Sequence, residues 1–341
     1  MNTEGKLRIC ICGGGALGTV CAAVFSSQGN EVSLLTKRPE RWNSVVEAYD
    51  PDGKVFKGSL SVISDSALIA CRNADIVLLC VPGYLIRKTL EEIKPSLTEQ
   101  TLVGSIVTTT GFFFMAHEVL SLGTPLFGFQ RVPYIARIRE YGKSASLLGY
   151  KDCLYVAGEN CNLPLLCKVL EGLFHTPVIA LPGYLEASLS NSNPLLHTAR
   201  LYSMWRGQES HGWERPVKFY AEWSDEASML LLEMDREFMH LVEKLGISQG
   251  SIKSVLQHYE VADAKSLTRK LRSIQAFQNI VSPMVERDGL WYPDFSSRYF
   301  TEDFPYGLKI LIDLWEKHGI DHPVSRQVWE WGSSLICPPT N

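Results

Sequence analysis

The sequence lacks the features that mark membrane, secreted and metal-binding proteins. No stretch of its 341 residues reaches the roughly 18 uncharged apolar residues that a membrane span needs. The segment from Met1 to Arg8 lacks the basic, apolar, small-residue order of a signal peptide. The nine cysteines include no CxxC pair and no spacing typical of a disulfide framework or a zinc site. We therefore expect reduced thiols, a cytoplasmic location, and neither a metal ion nor a membrane as partner.

The sequence also lacks an excess of positive charge. Its formal net charge is -4 at pH 7, which gives no electrostatic reason to expect nucleic acid as a partner. With 45% hydrophobic and 21% charged residues, the composition is that of a globular protein. A chain of this length exceeds one ordinary domain, so two domains are expected.

Short apolar runs alternate with helical spacing in the first half of the chain. This pattern predicts strands at 7–12, 31–35, 75–81, 101–107 and 177–181, and a helix at 16–28. The run at 75–81 is continuously apolar apart from its first residue, which is typical of a strand buried on both faces of a parallel sheet. The fold class is therefore predicted as α/β, with a doubly wound parallel sheet and helices on both faces.

After Gly183 the pattern becomes mainly helical. Helices are predicted at 185–201 with a break near Pro194, and at 225–245 with Ser224 as the cap. Further helices are predicted at 252–259, 263–280, 306–316 and 324–331. The predicted domains are thus a dinucleotide-binding domain at 1–183 and a mainly α-helical substrate domain at 184–341.

A glycine motif lies between the first predicted strand and the first predicted helix. Gly13, Gly15 and Gly18 form GxGxxG, and Ala16 and Leu17 open the helix. In this context the glycines permit a tight turn, close approach of a pyrophosphate, and helix–strand packing. The helix N-terminus then holds the phosphates through free amides and its dipole. These five residues predict a Rossmann-type cofactor site, and a glycine-rich turn without a ligand is the alternative.

The end of the second predicted strand bears on the choice of cofactor. An NAD site usually carries an acid about 20 residues beyond the glycines, whereas this chain has Thr36, Lys37 and Arg38 there. Two cations suit a 2′-phosphate, so NADP is preferred over NAD, unless both side chains are merely solvated. Pro82, after the run at 75–81, is predicted to border the dinucleotide. The alternative is a purely structural role, in which Pro82 only ends the strand.

Two segments of the second half carry candidate catalytic chemistry. His197 follows an asparagine-rich stretch that includes Asn193, and a proton-transfer role and a structural role are both open. The segment 298–308 holds Arg298, Asp303 and Tyr306 just ahead of a predicted helix. From spacing alone, Asp303 suits an N-cap and Arg298 suits a surface ion pair, so simpler explanations exist for both.

These blocks together resemble the opine (octopine/nopaline) dehydrogenase family. The resemblance depends mainly on Glu302-Asp-Phe-Pro-Tyr-Gly-Leu308 and covers both predicted domains. It implies reductive condensation of an amino acid with a 2-oxo acid, with NAD(P)H as the cofactor. It implies that His197 is catalytic, that Asp303 is its partner and that Arg298 binds the substrate carboxylate. Asn193 and Tyr306 are the further substrate-binding residues that we expect.

Two other functions fit the same architecture. One is a ketopantoate-type or 2-hydroxyacid-type NADP-dependent reductase, and the other is a dinucleotide-binding protein without turnover. In related dehydrogenase folds a catalytic lysine lies beside an asparagine, whereas this chain has Ser190-Asn191 there, which speaks against the reductase. The expected partners are small-molecule substrates, and the sequence leaves the oligomeric state open, with a homodimer as one option.

Overall fold

The structure is a computed structural model that describes residues 5–336. The outer ends of both predicted domains, 1–4 and 337–341, lie outside the described residues. The chain divides into two compact units between Leu189 and Ser190. No helix in the described range is long and apolar enough to cross a membrane.

The first unit combines a large sheet with six helices in its described part. Its strands are β1 Arg8–Cys12, β2 Glu31–Leu35, β3 Val45–Tyr49, β4 Val55–Ser64, β5 Ile76–Leu79, β6 Leu102–Ser105, β7 Leu126–Phe129, β8 Tyr134–Glu140, β9 Ser144–Tyr150, β10 Leu154–Glu159 and β11 Val178–Ala180. Its helices are α1 Ala16–Ser27, α2 Ala67–Ala70, α3 Gly83–Ile93, α4 Phe112–Val119, α5 Leu163–Phe174 and α6 Tyr184–Leu189.

The centre of the sheet is parallel, as the sequence predicted. In the strand order β11-β10-β7-β6-β5-β1-β2-β4-β3-β9-β8, the six strands from β7 to β4 pair in parallel. All four residues of β5 are buried, which agrees with its unbroken apolar run. The Rossmann-type core is therefore confirmed.

The flanks of the sheet are mixed, and here the sequence prediction was incomplete. Antiparallel pairs join β10 to β7, β3 to β4 and β8 to β9. Buried and exposed residues alternate along much of β4, a period of two that marks a strand with one solvated face. The sequence prediction missed β4 for that reason, because this strand contains no continuous apolar run.

Three cysteines meet in the core of the first unit. The sulfur atoms of Cys10, Cys12 and Cys71 lie within 4.8 Å of one another, and all three residues are buried. The spacing along the chain did not reveal this group, because Cys71 reaches β1 from the end of α2. Each of the eight described cysteines is a free thiol, and these three pack as small apolar residues.

The second unit is mainly helical. Its helices are α7 Asn193–Trp205, α8 Asp225–Lys244, α9 Val255–Tyr259, α10 Ala264–Ser273, α11 Arg298–Thr301, α12 Lys309–Lys317 and α13 Pro323–Leu335. Its strands are β12 Met284–Arg287 and β13 Leu290–Pro293, which pair antiparallel. A π-helical turn at Phe304–Leu308 leads directly into α12.

The predicted helices of this unit are mostly present, with two differences. The predicted cap of α8 is confirmed, since the Ser224 hydroxyl accepts the Ala227 amide at 3.1 Å. The helix predicted at 263–280 ends at Ser273. The segment predicted as a helix from Tyr306 instead begins as the π-helical turn. The long helix predicted at 185–201 is interrupted before Asn193, close to the predicted break.

Two glycines bring the π-helical turn against neighbouring helices. A β-carbon on Gly307 would lie 2.8 Å from Pro194 Cγ, so its absence lets the turn approach the first turn of α7. A β-carbon on Gly332 of α13 would lie 1.9 Å from the Phe304 ring. Close packing at both positions fixes the turn, and with it Asp303, relative to α7.

Candidate active site

His197 and Asp303 meet in the second unit, as the sequence analysis expected. His197 Nδ1 lies 2.8 Å from Asp303 Oδ2, and the two side chains are 12% and 21% exposed. Pro194 in the first turn of α7 suits a helix start, and Leu196 and Ala199 on either side of His197 are buried. The helix therefore presents the imidazole at the edge of a packed face.

The carboxylate of Asp303 does not cap a helix. Asp303 has helical backbone angles, with φ -71° and ψ -30°, and its side chain makes no capping hydrogen bond. Its carbonyl oxygen accepts the Leu308 amide at 2.8 Å, a spacing of five residues that defines the π-helical turn. The capping explanation is therefore wrong, and the carboxylate instead bonds to His197. Irregular turns of this kind are frequent at functional sites.

The other nitrogen of His197 contacts Tyr220, which is not among the predicted catalytic or substrate-binding residues. Tyr220 Oη lies 3.2 Å from His197 Nε2. The Tyr220 ring stacks on Phe277 with centroids 4.3 Å apart and planes 26° apart. A contact across 23 residues, between a helix and an irregular segment, leaves no periodic signal in the sequence.

Aromatic rings enclose the imidazole on its other sides. The Tyr299 centroid lies 4.7 Å from the His197 centroid, and the Phe219 ring stands edge-on at 5.5 Å. Burial raises the pKa of both Tyr220 and Tyr299, and the negative charge of Asp303 adds to the shift. Both hydroxyls therefore keep their protons at neutral pH.

Arg200, one turn after His197, holds the segment that carries Tyr220. Its Nε and Nη2 donate to the carbonyl oxygens of Phe219 at 2.9 Å and Glu222 at 2.8 Å. Burial lowers the pKa of this guanidinium to about 10, so it stays charged at neutral pH. These two bonds flank Tyr220 and fix its backbone relative to α7.

The predicted substrate-binding residues lie on the same two segments. Arg298 opens α11 and is exposed, and its guanidinium has no hydrogen-bond or ion-pair partner within residues 5–336. Asn193 is exposed one turn before His197, on the same face of α7. Tyr306 lies half-buried in the π-helical turn. Whether these three residues touch a substrate stays a prediction.

Five of the nine predicted cofactor residues line a cleft of about 510 Å³ in the first unit: Gly13, Gly15, Thr36, Lys37 and Pro82. Gly13 has φ +115°, and a β-carbon there would lie 2.6 Å from the Cys80 carbonyl oxygen. A β-carbon on Gly18 would lie 1.9 Å from the Gly13 carbonyl oxygen. Gly15 differs, because a β-carbon there would meet no protein atom within 4 Å, and the residue faces the cleft.

These features fit a bound dinucleotide. The open space at Gly15 is where a pyrophosphate can approach the backbone. Ala16 and Leu17 form the first turn of α1, whose amides have no partner within the helix and point a positive dipole end at the cleft. Pro82 also lines the cleft, after β5. The residues therefore suit NAD or NADP.

The cleft also contains a carboxylate, beside Lys37, that the sequence analysis missed. Lys37 Nζ lies 2.8 Å from Oε1 of Glu92, and both residues line the cleft. Thr36 beside them is buried, whereas the Arg38 side chain is exposed. Glu92 comes from α3, which is 55 residues away, so inspection of the loop after β2 could not reveal it.

Comparison with known protein families matches both halves of the chain. Residues 180–336 match the family described as "NAD/NADP octopine/nopaline dehydrogenase, alpha-helical domain". Residues 9–110 match the ketopantoate reductase family. The helical match covers the segments that hold His197 and Asp303. Residues 180–336 therefore form an α-helical domain of the octopine/nopaline dehydrogenase type, and the chain resembles opine dehydrogenases along most of its length. It is therefore an NAD(P)-dependent oxidoreductase.

Relatives that match over most of both chains include a tauropine dehydrogenase and an octopine dehydrogenase. The tauropine dehydrogenase of Arabella iricolor is 26% identical over 96% of this chain and 90% of its own length. The octopine dehydrogenase of Mizuhopecten yessoensis is 24% identical over 97% and 90%. A solved structure of octopine dehydrogenase with NADH and L-arginine has a TM-score of 0.86 at 22% identity, covering 97% of this chain and 90% of the other. This last likeness shows a shared fold.

Substitution of Gly15 tests the cofactor cleft. We expect Gly15→Val to raise the Kd for NAD(P)H by at least about tenfold, because the new side chain would occupy the space for the pyrophosphate. The melting temperature without cofactor should stay unchanged, since no protein atom lies within 4 Å of that position. Fluorescence titration with NADH and NADPH, together with thermal denaturation, measures both. Wild-type affinity in the variant would place the cofactor elsewhere.

Proposed function

We propose that this protein is an opine dehydrogenase in which His197 and Asp303 form the proton-transfer pair. The reaction joins an amino acid to a 2-oxo acid and reduces the resulting imine to an N-(1-carboxyalkyl) amino acid. The observation that carries the proposal is the 2.8 Å contact between His197 Nδ1 and Asp303 Oδ2. The Asp303 carboxylate makes no helix-capping hydrogen bond, so it is available for this contact. The family assignment supplies the reaction class.

Proton transfer is the part of the reaction that these residues perform. An amino acid reaches the site as an ammonium ion and must lose a proton before its nitrogen can attack the oxo carbon. Neutral His197 accepts that proton, and Asp303 stabilises the imidazolium. His197 then returns a proton to the hydroxyl, which leaves as water, and this step gives the protonated imine. The nearby carboxylate fixes the ring orientation throughout.

Arg298 is the proposed binding group for the carboxylate of the 2-oxo acid. A planar guanidinium can hold a carboxylate with two parallel hydrogen bonds. The exposed Arg298 side chain has no internal partner in the described part of the chain, so it is available for this role. Asn193 and Tyr306, on the adjoining segments, are proposed to contact the same substrates.

The cofactor supplies the hydride that reduces the imine carbon. Gly13, Gly15 and Gly18 shape its pyrophosphate site, and α1 provides amides and a dipole for the phosphates. Thr36 and Pro82 border the remainder of the cleft. The protein therefore binds and orients the nucleotide through its first unit.

The choice between NAD and NADP is proposed to depend on Lys37, Arg38 and Glu92. The two cations favour a 2′-phosphate, whereas the Glu92 carboxylate, 2.8 Å from Lys37, repels it. We expect Glu92→Gln to improve the affinity for NADPH relative to NADH by about tenfold, from one like-charge repulsion of about 1.4 kcal/mol. Glu91→Gln, beside it on α3, is the matched control. An unchanged ratio of the NADPH and NADH affinities in Glu92→Gln would mean that Glu92 does not act on the 2′-phosphate.

The paired-substrate requirement tests the proposed function. Purified protein should oxidise NAD(P)H only when a 2-oxo acid and an amino acid are both present. Oxidation with the oxo acid alone would support the second candidate, a ketopantoate-type reductase, which the match of residues 9–110 favours. Nucleotide binding without turnover over a broad substrate panel would support a non-catalytic protein.

The location and the assembly of the protein stay proposals. We propose a cytoplasmic location, because the eight described cysteines are free thiols, as expected in a reducing compartment. A homodimer is the assembly that we predict, and sedimentation of the purified protein would test it.

A further inference from the structure

We propose that Tyr220 is a catalytic residue that relays protons between His197 Nε2 and the substrate oxygen. This inference rests on the proposed function, since it names the path of a proton that the condensation requires. It assigns a chemical task to a side chain outside the expected site. The geometry of both imidazole nitrogens leads to it.

Both nitrogens of His197 have partners within the second unit. Nδ1 faces the Asp303 carboxylate at 2.8 Å, and a carboxylate can only accept, so Nδ1 carries the proton of the neutral ring. Nε2 is then the basic nitrogen, and it accepts the Tyr220 hydroxyl at 3.2 Å. Because the Tyr220 hydroxyl already donates its hydrogen bond to Nε2, a proton that enters or leaves Nε2 passes through Tyr220 Oη.

Tyr220 is held in this position from several sides. It is 6% exposed, its ring stacks on Phe277 at 4.3 Å, and Trp223 lies parallel to it at 6.0 Å. Arg200 binds the carbonyl oxygens of residues 219 and 222 on either side. A tyrosine fixed by stacking and by its backbone keeps its hydroxyl on the imidazole, so a direct approach of substrate to Nε2 is blocked.

The relay conserves protons and leaves no charged tyrosine. When imidazolium gives up its proton, the Nε2–H bond breaks and a new bond forms to Tyr220 Oη. In the same event the original Tyr220 O–H bond breaks, and its proton joins the hydroxyl that leaves the carbinolamine as water. The reverse transfer carries a proton from the substrate ammonium through Tyr220 to Nε2, and the resulting neutral amine then attacks the oxo carbon. Burial raises the pKa of Tyr220, which keeps the hydroxyl protonated between transfers.

Tyr220→Phe tests the relay, because it keeps the ring and its stacking but removes the hydroxyl. We expect kcat to fall by about 10²-fold, within the usual range for a lost proton-transfer group. The Kd for NADH should stay within about twofold of wild type, less than 0.5 kcal/mol. Tyr202→Phe, on the same helix as His197, is the matched control and should keep wild-type kcat, since the Tyr202 hydroxyl is not a partner of His197.

A proton inventory distinguishes the relay from a structural role. In mixtures of light and heavy water, the wild-type rate should curve with deuterium content, because two protons move in one step. In Tyr220→Phe the rate should depend linearly on deuterium content, because only one proton moves in that step. Wild-type kcat in Tyr220→Phe, or a curved inventory despite a lowered kcat, would overturn the relay. The paired-substrate assay of the wild type tests the proposed function separately, so the two failures are distinguishable.

Discussion

Replacement of His197 by glutamine is expected to lower kcat of the condensation by about 10³-fold, within the range that a positioned acid–base group contributes. Glutamine fills a similar volume and can still donate to Asp303, but it cannot accept and release a proton at neutral pH. The NADH affinity should be unchanged, because the cofactor cleft is lined by residues of the first unit. Steady-state kinetics and fluorescence titration measure the two quantities.

Asp303→Asn is the companion variant to His197→Gln. It keeps the size of the side chain but removes the charge that stabilises the imidazolium, so we expect a similar loss in kcat. Asp313→Asn is a suitable control, since Asp313 is exposed on α12 and pairs only with Lys309 in the described structure. Full activity in Asp303→Asn, or loss of cofactor binding in His197→Gln, would contradict the assignment of the pair.

Replacement of Arg298 by methionine is expected to raise KM for the 2-oxo acid by about 100-fold. Two charge-assisted hydrogen bonds are lost, and a loss of about 3 kcal/mol corresponds to this factor. The KM for NAD(P)H should change little, since Arg298 belongs to the second unit. Arg298→Lys should recover only part of the loss, because an ammonium cannot form the planar two-bond contact.

Arg236→Met provides a matched control for Arg298. Arg236 is an exposed arginine on α8, paired at 3.7 Å with Glu233, and has no place in the proposed site. Its removal should leave every kinetic constant unchanged. An unchanged KM for the oxo acid in Arg298→Met would mean that another cation binds the carboxylate. The measurement is initial-rate kinetics with the oxo acid varied at saturating amine.

The parts of the fold that the sequence predicted are those with local signals. The glycine motif between β1 and α1 involves only neighbouring residues, and the structure shows why a side chain would not fit at Gly13 or Gly18. The continuous apolar run of β5 marks a central parallel strand. The antiparallel flanks were missed, because alternation of buried and exposed residues, as in β4, is a weaker signal than a continuous apolar run.

The site was predicted through the family resemblance, since spacing alone could not join its members. His197 and Asp303 are 106 residues apart, and from spacing alone capping was the favoured explanation for Asp303. The π-helical turn, which removes Asp303 from a capping geometry, depends on the packing of Gly307 and Gly332. Tyr220 was missed for a similar reason, because its position depends on tertiary contacts with Phe277.

The same limit applies at the cofactor cleft. Residues 36–38, directly after β2, include two cations and no acidic residue, so the sequence alone favours a 2′-phosphate. The folded chain brings Glu92 of α3 to Lys37, which changes the charge that a 2′-phosphate would meet. The charge at such a cleft depends on residues that only the tertiary structure brings together. The sequence of the loop after β2 shows its two cations but not the carboxylate of α3.

Isotope tracing of the product tests the central claim most directly. The protein would be supplied with a 2-oxo acid, a ¹⁵N-labelled amino acid and NAD(P)H deuterated at the transferred position, and the product identified by mass spectrometry. The account predicts one product that holds the ¹⁵N atom, the carbon skeletons of both substrates and one deuterium on the former oxo carbon. A deuterated 2-hydroxy acid without nitrogen would contradict it.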